Sequence, residues 1–287
     1  MGLERTESGC KINLFLRVTG RRADNYHTLE TLFFPLATPS DTLEADFSAA
    51  PGIVLEADSP QVPTDARNLV YRAAARYAEV AGAVPAWRFH LTKRVPVAAG
   101  LGGGSADAAA ALRLLEARFG ALGSERLKRV ALELGADVPF FLDPRPAVAR
   151  GVGEELEFPE VGTVPILLVN PGFPVSAKWA YREFDRCGAA ASAATLDGVL
   201  AGLQNGDLEQ VACNVRNDLA PALWRKFPVL SLIRDELTGR GALAVEVSGS
   251  GSTLFAVMPD HAAARSAAAE LNELHPRWLS IAAEDLR

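Results

Sequence analysis

Cysteine is scarce in this sequence. Cys10, Cys187 and Cys213 are far apart, odd in number and form no CxxC pair. Neither a disulfide framework nor a zinc site is suggested, and reduced thiols in a cytosol fit best. Positive charge is not in excess either: 29 lysines and arginines face 35 aspartates and glutamates, for a formal charge of −6. That excludes the basic footprint of a nucleic-acid binder. An anionic ligand would need a local field from backbone N–H groups and a few cations. No apolar run approaches the roughly 18 residues that mark a membrane span. The opening MGLERTESGCKIN has no apolar signal core. The four histidines, His27, His90, His261 and His275, are scattered and suggest no transition-metal site, and no carboxylates show metal-ligand spacing. These absences point to a cytoplasmic protein with no nucleic-acid or membrane partner. Whether it is a monomer or a weak homodimer is left open.

What is present is ordinary globular composition. The 287 residues are 49% hydrophobic and 22% charged, enough to bury a core and far from the pattern of disorder. Lys11 to Val18 alternates as a strand does, with Ile12, Leu14 and Leu16 on one face. Further strands are expected at 29–36, 87–92, 164–169, 242–248 and 253–258. Helices are expected at 68–81, 124–134, 177–184, 196–203, 208–212, 228–237 and 261–274. After Ser105, residues Ala108, Ala111, Leu112, Leu115 and Phe119 recur at helical spacing and predict a one-faced amphipathic helix. The stretch 144–165, with several prolines and glycines, suits a domain junction or an exposed hairpin. Strands and helices mix without regular βα alternation, which predicts an α+β fold with two domains, 1–155 and 156–287.

Gly100-Leu101-Gly102-Gly103-Gly104-Ser105 lies directly before a helix. Glycines let main-chain N–H groups turn toward a ligand, and the helix start adds the positive end of its dipole. Ser105 can cap that helix or reach a phosphate or a metal. Taken alone, the segment is equally a flexible turn before a capped helix. It is not a Walker loop, because Gly-Ser-Ala stands where Gly-Lys-Ser/Thr is required. It is not a dinucleotide fingerprint either: Ser105 takes the third glycine's place, and no N-terminal βαβ unit precedes it. A nicotinamide dehydrogenase is thereby excluded.

Three segments in order, Ser8-Gly-Cys-Lys-Ile-Asn13, Pro96 to Asp107, and Val247-Ser-Gly-Ser-Gly-Ser252, resemble the motifs of the galactokinase, homoserine kinase, mevalonate kinase and phosphomevalonate kinase (GHMP) superfamily. More narrowly, Ala23-Asp-Asn-Tyr-His-Thr-Leu29 and Leu134-Gly-Ala-Asp-Val-Pro-Phe-Phe141 are similar to the members that phosphorylate 4-diphosphocytidyl-2-C-methyl-D-erythritol on the methylerythritol phosphate route to isoprenoids. The likeness runs from about residue 9 to residue 258. It implies the two-domain GHMP fold, with an active site in the cleft between an N-terminal ATP-binding and a C-terminal substrate-binding domain. It also implies ATP with Mg2+, the ion travelling with the phosphates, and a small-molecule cytidyl substrate.

The resemblance assigns residues too. Lys11 and Asp137 match the catalytic pair: an anionic group in contact with the acceptor hydroxyl takes or orients its proton, and a cation steadies the charge that grows there. By itself Asp137 is equally a turn aspartate and Lys11 a solvated strand lysine. Asn68, Leu69, Lys93, Pro96 and the loop Gly100, Leu101, Gly102, Gly103, Gly104, Ser105 and Ala106 match the ATP side; by themselves Asn68 is a helix cap and Lys93 a solvated strand end. Ser248, Gly249, Ser250 and Gly251 would brace the phosphate loop, or form a plain glycine hairpin. Asn13, Tyr26, His27, Phe33 and Tyr181 match the acceptor side, where stacking and edge hydrogen bonds hold a base. Tyr26 and Phe33 are otherwise core residues, and His27 a satisfied structural histidine. Three positions depart from the pattern: Asn25 replaces a glycine, Cys10 an alanine, and Ala177 a frequent threonine whose contact Ser176 would have to supply. Another kinase of the superfamily acting on homoserine or mevalonate, or a non-catalytic nucleotide-binding sensor on the same fold, are the alternatives. Tyr26-His27 speaks against the first and the retention of Lys11 with Asp137 against the second.

Overall fold

The computed structural model describes residues 3–284. The chain folds into two compact units that interleave along the sequence. The first comprises the N-terminal residues through Cys10, Pro39–Val97 and Gly102–Pro144; the second comprises Lys11–Thr38, Ala98–Leu101 and the chain from Arg145 on. Two long strands, β1 (Glu4–Arg21) and β2 (His27–Asp46), contribute residues to both units.

In the first unit, β3 (Gly52–Ala57), α1 (Leu69–Ala81) and β4 (Ala86–Thr92) follow the end of β2. Strand β4 pairs antiparallel with β2 from Thr42↔Thr92 to Asp46↔Arg88, and parallel with β3 from Gly52↔Ala86 to Ala57↔Leu91. Helix α1 buries Val70, Ala73, Ala74, Tyr77 and Ala78, the i, i+3, i+4, i+7, i+8 stripe of a core-facing helix. It packs on α2 (Gly103–Phe119), which is followed by α3 (Gly123–Leu134) and a 3-10 turn at Pro139–Leu142.

The one-faced character expected for α2 does not hold. Residues Ala106 to Leu112 are all buried, whereas Phe119, expected on the core face, is 43% exposed. Consecutive alanines have too little bulk to keep neighbours away, so other elements close on the helix from several sides. The helix also begins earlier than Ser105, with Gly102 in the N-cap position at φ 72° and no side-chain cap. Ser105 therefore lies inside the first turn and is not the cap.

In the second unit, the first part of β2 pairs antiparallel with β5 (Ala147–Arg150), and β5 with β6 (Glu155–Glu157), which forms a hairpin, one of the two readings given for the 144–165 stretch. Then come β7 (Ile166–Asn170), α4 (Ala177–Cys187), α5 (Leu196–Asn205), α6 (Leu208–Asn214) and the two-residue β8 (Arg216–Asn217), which pairs parallel with β1 at Phe15↔Arg216 and Leu16↔Asn217. Helices α7 (Ala220–Lys226) and α8 (Pro228–Gly239), strands β9 (Ala244–Val247) and β10 (Leu254–Val257), helix α9 (His261–Leu274) and β11 (Leu279–Ala283) complete it. Strands β11-β7-β10-β9 form an antiparallel sheet. Its face bearing Leu167, Val169, Val247, Leu254 and Ala256 shares a core with Leu223, Leu230, Ile233 and Leu271 from the helices.

Strands β3, β8 and β11 and helix α7 are not among the elements expected from the sequence. Helix α7 contains Pro221, which looks like a breaker but sits in the first turn, where proline's missing N–H costs nothing. Asn25 stands at φ 70°, so the position where the family has glycine keeps its left-handed turn. Among the described residues no helix is long and apolar enough to cross a membrane.

Candidate active site

In the first unit, the start of α2 presents main-chain donors. The hydrogen bond Ala106 N–H to Gly102 O (2.9 Å) opens the helix, so the amides of Gly103, Gly104 and Ser105 stand ahead of the intrahelical ladder. Gly104 is exposed and a Cβ on it would meet nothing nearer than Leu69 Cδ1 at 3.7 Å. Leu101 and Ala106 are core residues, 2% and 1% exposed; they seat the loop and do not line its outer face. Asn68 caps α1: its Oδ1 accepts from Val70 N–H at 2.8 Å and its Nδ2 donates to Pro63 O at 2.8 Å. Asp137 lies in the turn closed by Val138 N–H to Gly135 O (3.1 Å), just before Pro139 opens the 3-10 turn.

Lys93 is not a solvated strand end. Its side chain is 8% exposed and its ammonium pairs with Asp41 Oδ2 and, at 2.7 Å, with Asp107 Oδ2. Asp41 also accepts from the N–H groups of Arg94 and Val95, and Asp107 from Ser8 Oγ at 2.8 Å. Burial pushes the Asp107 carboxyl up to about 7, with Lys93 opposing and Asp41 adding to the rise. Burial alone would lower Lys93; the charges of Asp107 and Asp41 outweigh it and hold Lys93 above its ordinary value. Neither carboxylate was singled out from the sequence. Asp107 did carry a signal: an acid inside a run of alanines and leucines needs a buried cation.

In the second unit, β1 positions Lys11 and Asn13 two residues apart, on one face. Both are buried, at 5% and 1%. Lys11 Nζ donates to Asn13 Oδ1 (2.7 Å), Asn13 Nδ2 to Thr31 Oγ1 (2.8 Å), and Thr31 Oγ1 to Phe15 O (2.6 Å). The ammonium also lies 4.8 Å from the ring centroid of Phe33, itself a core residue. The main chain of Lys11 ties to the glycine loop through its N–H to Leu101 O at 2.9 Å.

The second glycine segment braces the first. Ser248 Oγ donates to Gly100 O (2.9 Å), and Thr253 N–H to Ala99 O (3.2 Å). A Cβ on Gly100 would stand 2.0 Å from Ser248 O, so only glycine permits this approach. Asn217 on β8 holds the brace from behind, donating to Val247 O and Gly249 O, both at 2.7 Å. Its role too was not read from the sequence.

The third cluster joins residues far apart in the chain. The His27 ring stacks on Tyr181 of α4 at 4.9 Å with planes 20° apart, and meets Phe184 edge-on at 6.1 Å. His27 Nε2 lies 2.7 Å from Asp185 Oδ1, and Arg21 pairs with the other oxygen at 3.3 Å. Phe184 and Asp185 are additions that helical spacing from Tyr181 could have suggested. Tyr26 is no core residue: it is 66% exposed. Ser176 accepts from Trp179 N–H as the cap of α4, which occupies the hydroxyl next to Ala177.

Two family models, GHMP kinases N terminal domain and GHMP kinases C terminal, match residues 68–143 and 199–277. A protein of Methylobacterium radiotolerans named 4-diphosphocytidyl-2-C-methyl-D-erythritol kinase is 41% identical over 97% of this chain and 97% of its own length. The chain belongs to this kinase family, within the GHMP kinases. A Deinococcus radiodurans protein of the same name is 40% identical over 96% of this chain and 90% of its own. A crystal structure of 4-(cytidine 5'-diphospho)-2C-methyl-D-erythritol kinase superposes with a TM-score of 0.82 at 36% identity, covering 96% of this chain and 98% of that one. The α+β GHMP fold expected from the motifs is therefore the fold of this kinase.

Proposed function

We propose that the chain transfers the γ-phosphoryl group of ATP to the 2-hydroxyl of 4-diphosphocytidyl-2-C-methyl-D-erythritol. The observation that carries this reading is likeness over 97% of the chain to a protein named for that kinase. The geometry supports the chemistry. The bare amides at the start of α2 suit phosphate oxygens, which need compensation of charge more than covalent help. Asn68 and Leu69, at the start of α1, would flank the nucleoside. The His27–Tyr181 stack supports recognition of a flat base, with exposed Tyr26 free to close over it. Asn13 would meet the erythritol end.

In the step itself the acceptor oxygen bonds to the γ-phosphorus as the bond to ADP breaks, and the hydroxyl proton passes to Asp137. Lys11, oriented by Asn13 and the Phe33 ring, would supply positive charge to the oxygen as it attacks. Magnesium neutralises charge on the transferring phosphates. Among the described residues no group of three or more histidines, cysteines or acids is placed to hold a metal. The Ser105 hydroxyl, in the first turn of α2, would be a suitable hard oxygen ligand for an ion arriving with ATP. Cytoplasmic location and the absence of nucleic-acid and membrane partners accord with the composition.

The test is ADP release with the cytidyl compound, homoserine and mevalonate, by the native protein and by Asp137→Asn. Turnover is expected with the cytidyl compound only, and near-loss in the variant. Turnover of homoserine or mevalonate instead would move the protein elsewhere in the superfamily. Nucleotide binding with no turnover at all would make it a sensor. Undiminished activity of Asp137→Asn would remove Asp137 from the mechanism.

A further inference from the structure

Phosphoryl transfer gains much from rigid alignment of donor and acceptor, and one buried carboxamide in the second unit is placed to supply it. We propose that Asn217 is a positioning residue for the transfer: it closes a ring of hydrogen bonds that holds Lys11 and Asn13 against the rear of the glycine loop. The proposal rests on the functional reading above, with the glycine loop as the ATP site.

The ring can be followed residue by residue. Strand β8 lies on β1 at Phe15↔Arg216 and Leu16↔Asn217. Asp218 fastens it further: its N–H donates to Leu16 O (2.9 Å), and its Oδ2 accepts from Val18 N–H (2.9 Å). From β8 the Asn217 amide donates to Val247 O and Gly249 O, and its Oδ1 accepts from Leu219 N–H at 2.9 Å. The segment so held bonds to the rear of the glycine loop, Ser248 Oγ to Gly100 O and Thr253 N–H to Ala99 O. Asn170 steadies its far end, donating to Thr253 Oγ1 at 2.9 Å. Leu101 O accepts from Lys11 N–H, which returns the ring to β1. Gly249 closes against the acceptor side: a Cβ there would stand 3.3 Å from Asn13 Oδ1, the atom that accepts from Lys11 Nζ.

Asn217 is 4% exposed, and it uses both amide hydrogens and its oxygen on main-chain groups. A buried carboxamide satisfied in this way fixes one geometry. Its oxygen makes a local turn to Leu219, two residues on, which a serine would keep. Its two donors act at a distance, on residues 30 and 32 places along the chain, and a serine is too short to replace them. Without them two buried carbonyls lose a partner, and the segment must shift to find others. That shift moves Gly249 against Asn13 and so disturbs the ammonium that Asn13 orients. Lys11 would act on the attacking oxygen as charge grows there, so the loss falls on the transition state more than on binding.

The experiment measures kcat, and KM for ATP and for the cytidyl acceptor, on the full chain at a temperature well below every Tm. The variants are Asn217→Ala, Asn217→Ser, Ser248→Ala and the double variant Asn217→Ser with Ser248→Ala. Two core substitutions remote from this ring, Ile233→Val and Leu271→Ala, calibrate what loss of Tm alone does to the kinetics. Asn217→Ala and Asn217→Ser should each lower kcat about ten- to hundredfold while either KM changes less than about threefold. The core variants should leave kcat unchanged. Ser248→Ala should lower kcat as well, and the double variant should lose less than the product of the two single effects, because both act through one contact. Should Asn217→Ala not fold, Asn217→Ser, which keeps the local turn, carries the test. A kcat no lower than in a core variant of equal Tm overturns the inference. So does a defect confined to KM, or a double variant whose loss is the product of the singles. In each of these cases turnover of the cytidyl compound by wild type leaves the functional reading standing. Wild type that turns over none of the cytidyl compound, homoserine and mevalonate refutes both.

Discussion

Replacing Gly100 by alanine tests the contact between the two glycine segments. The residue sits at φ +80°, and an added Cβ would lie 2.0 Å from Ser248 O and 2.9 Å from Gly251 N, both backbone atoms. The left-handed conformation costs a Cβ-bearing residue about 1–2 kcal/mol. The overlap adds about 1–3 kcal/mol, because no side chain can rotate away and the main chain itself must move. The expected loss is about 2–5 kcal/mol, or roughly 5–15 °C in Tm. Two other glycines separate the contributions. Gly82, the C-cap of α1, has φ +64° with nothing within 4 Å, so Gly82→Ala reports the conformational cost alone, about 1 kcal/mol. Gly103 has no positive φ, but an added Cβ would lie 2.9 Å from Val95 Cγ1, 3.2 Å from Val95 Cβ and 3.4 Å from Lys93 Nζ, and Val95 is a buried, β-branched core residue. Gly103→Ala should cost about 1–3 kcal/mol by overpacking, less the roughly 1 kcal/mol that helix propensity returns. Urea and thermal unfolding of the three variants give the order directly. If Gly100→Ala loses no more than Gly82→Ala, the close approach to Ser248 is not a feature of the folded protein. Steady-state kinetics on the same variant should show a higher KM for ATP, since Gly100 O and Ala99 O are the brace's two acceptors.

Asp185→Ala should raise KM for the cytidyl acceptor several-fold and leave KM for ATP within twofold, because Asp185 holds the His27 ring at 2.7 Å; an effect confined to ATP would mean that this cluster serves the nucleotide. Burial pushes the Glu246 carboxyl up to about 8, against the opposing Val247 N–H and Arg234 charge. The folded state therefore holds a proton that the unfolded chain releases above about pH 4.5. This contribution is complete below that pH and is lost as pH rises through 8, a decline of about 2 kcal/mol between pH 6 and 8.5. Glu246→Gln should flatten that part of the stability profile in thermal melts at stepped pH; a variant that loses stability with pH as steeply as wild type refutes the assignment.

The local geometry of the candidate site was legible where its residues are contiguous. Gly100 to Ser105 runs into the start of α2, and adjacency alone shows that bare amides precede a helix, an arrangement that suits an anion. The capped start of α1 at Asn68, the helix end at Gly135 and the left-handed turn at Asn25 were equally readable, since each depends on a few neighbouring dihedrals. Local pattern went astray at α2. Alanines allow close packing but do not say from how many sides it comes, so Phe119 is not on a single core face, and the helix begins at Gly103, which leaves Ser105 within the first turn and not at the cap.

Partnership between distant side chains was beyond the sequence. Taken by itself, apart from the ATP-side match, Lys93 reads as a solvated strand end because lysines usually are; Asp41, 52 residues away, and Asp107 make it a buried cation. Asp185 meets His27 across 158 residues, and Ser248 meets Gly100 across 148. The order of apolar, glycine and capping residues determined the elements and the family, because those depend on short-range sterics and periodicity. Which charges are neutralised, and which backbones approach within contact, were decided by tertiary packing, because a Coulomb or hydrogen-bond partner is chosen by distance in space and not by position along the chain.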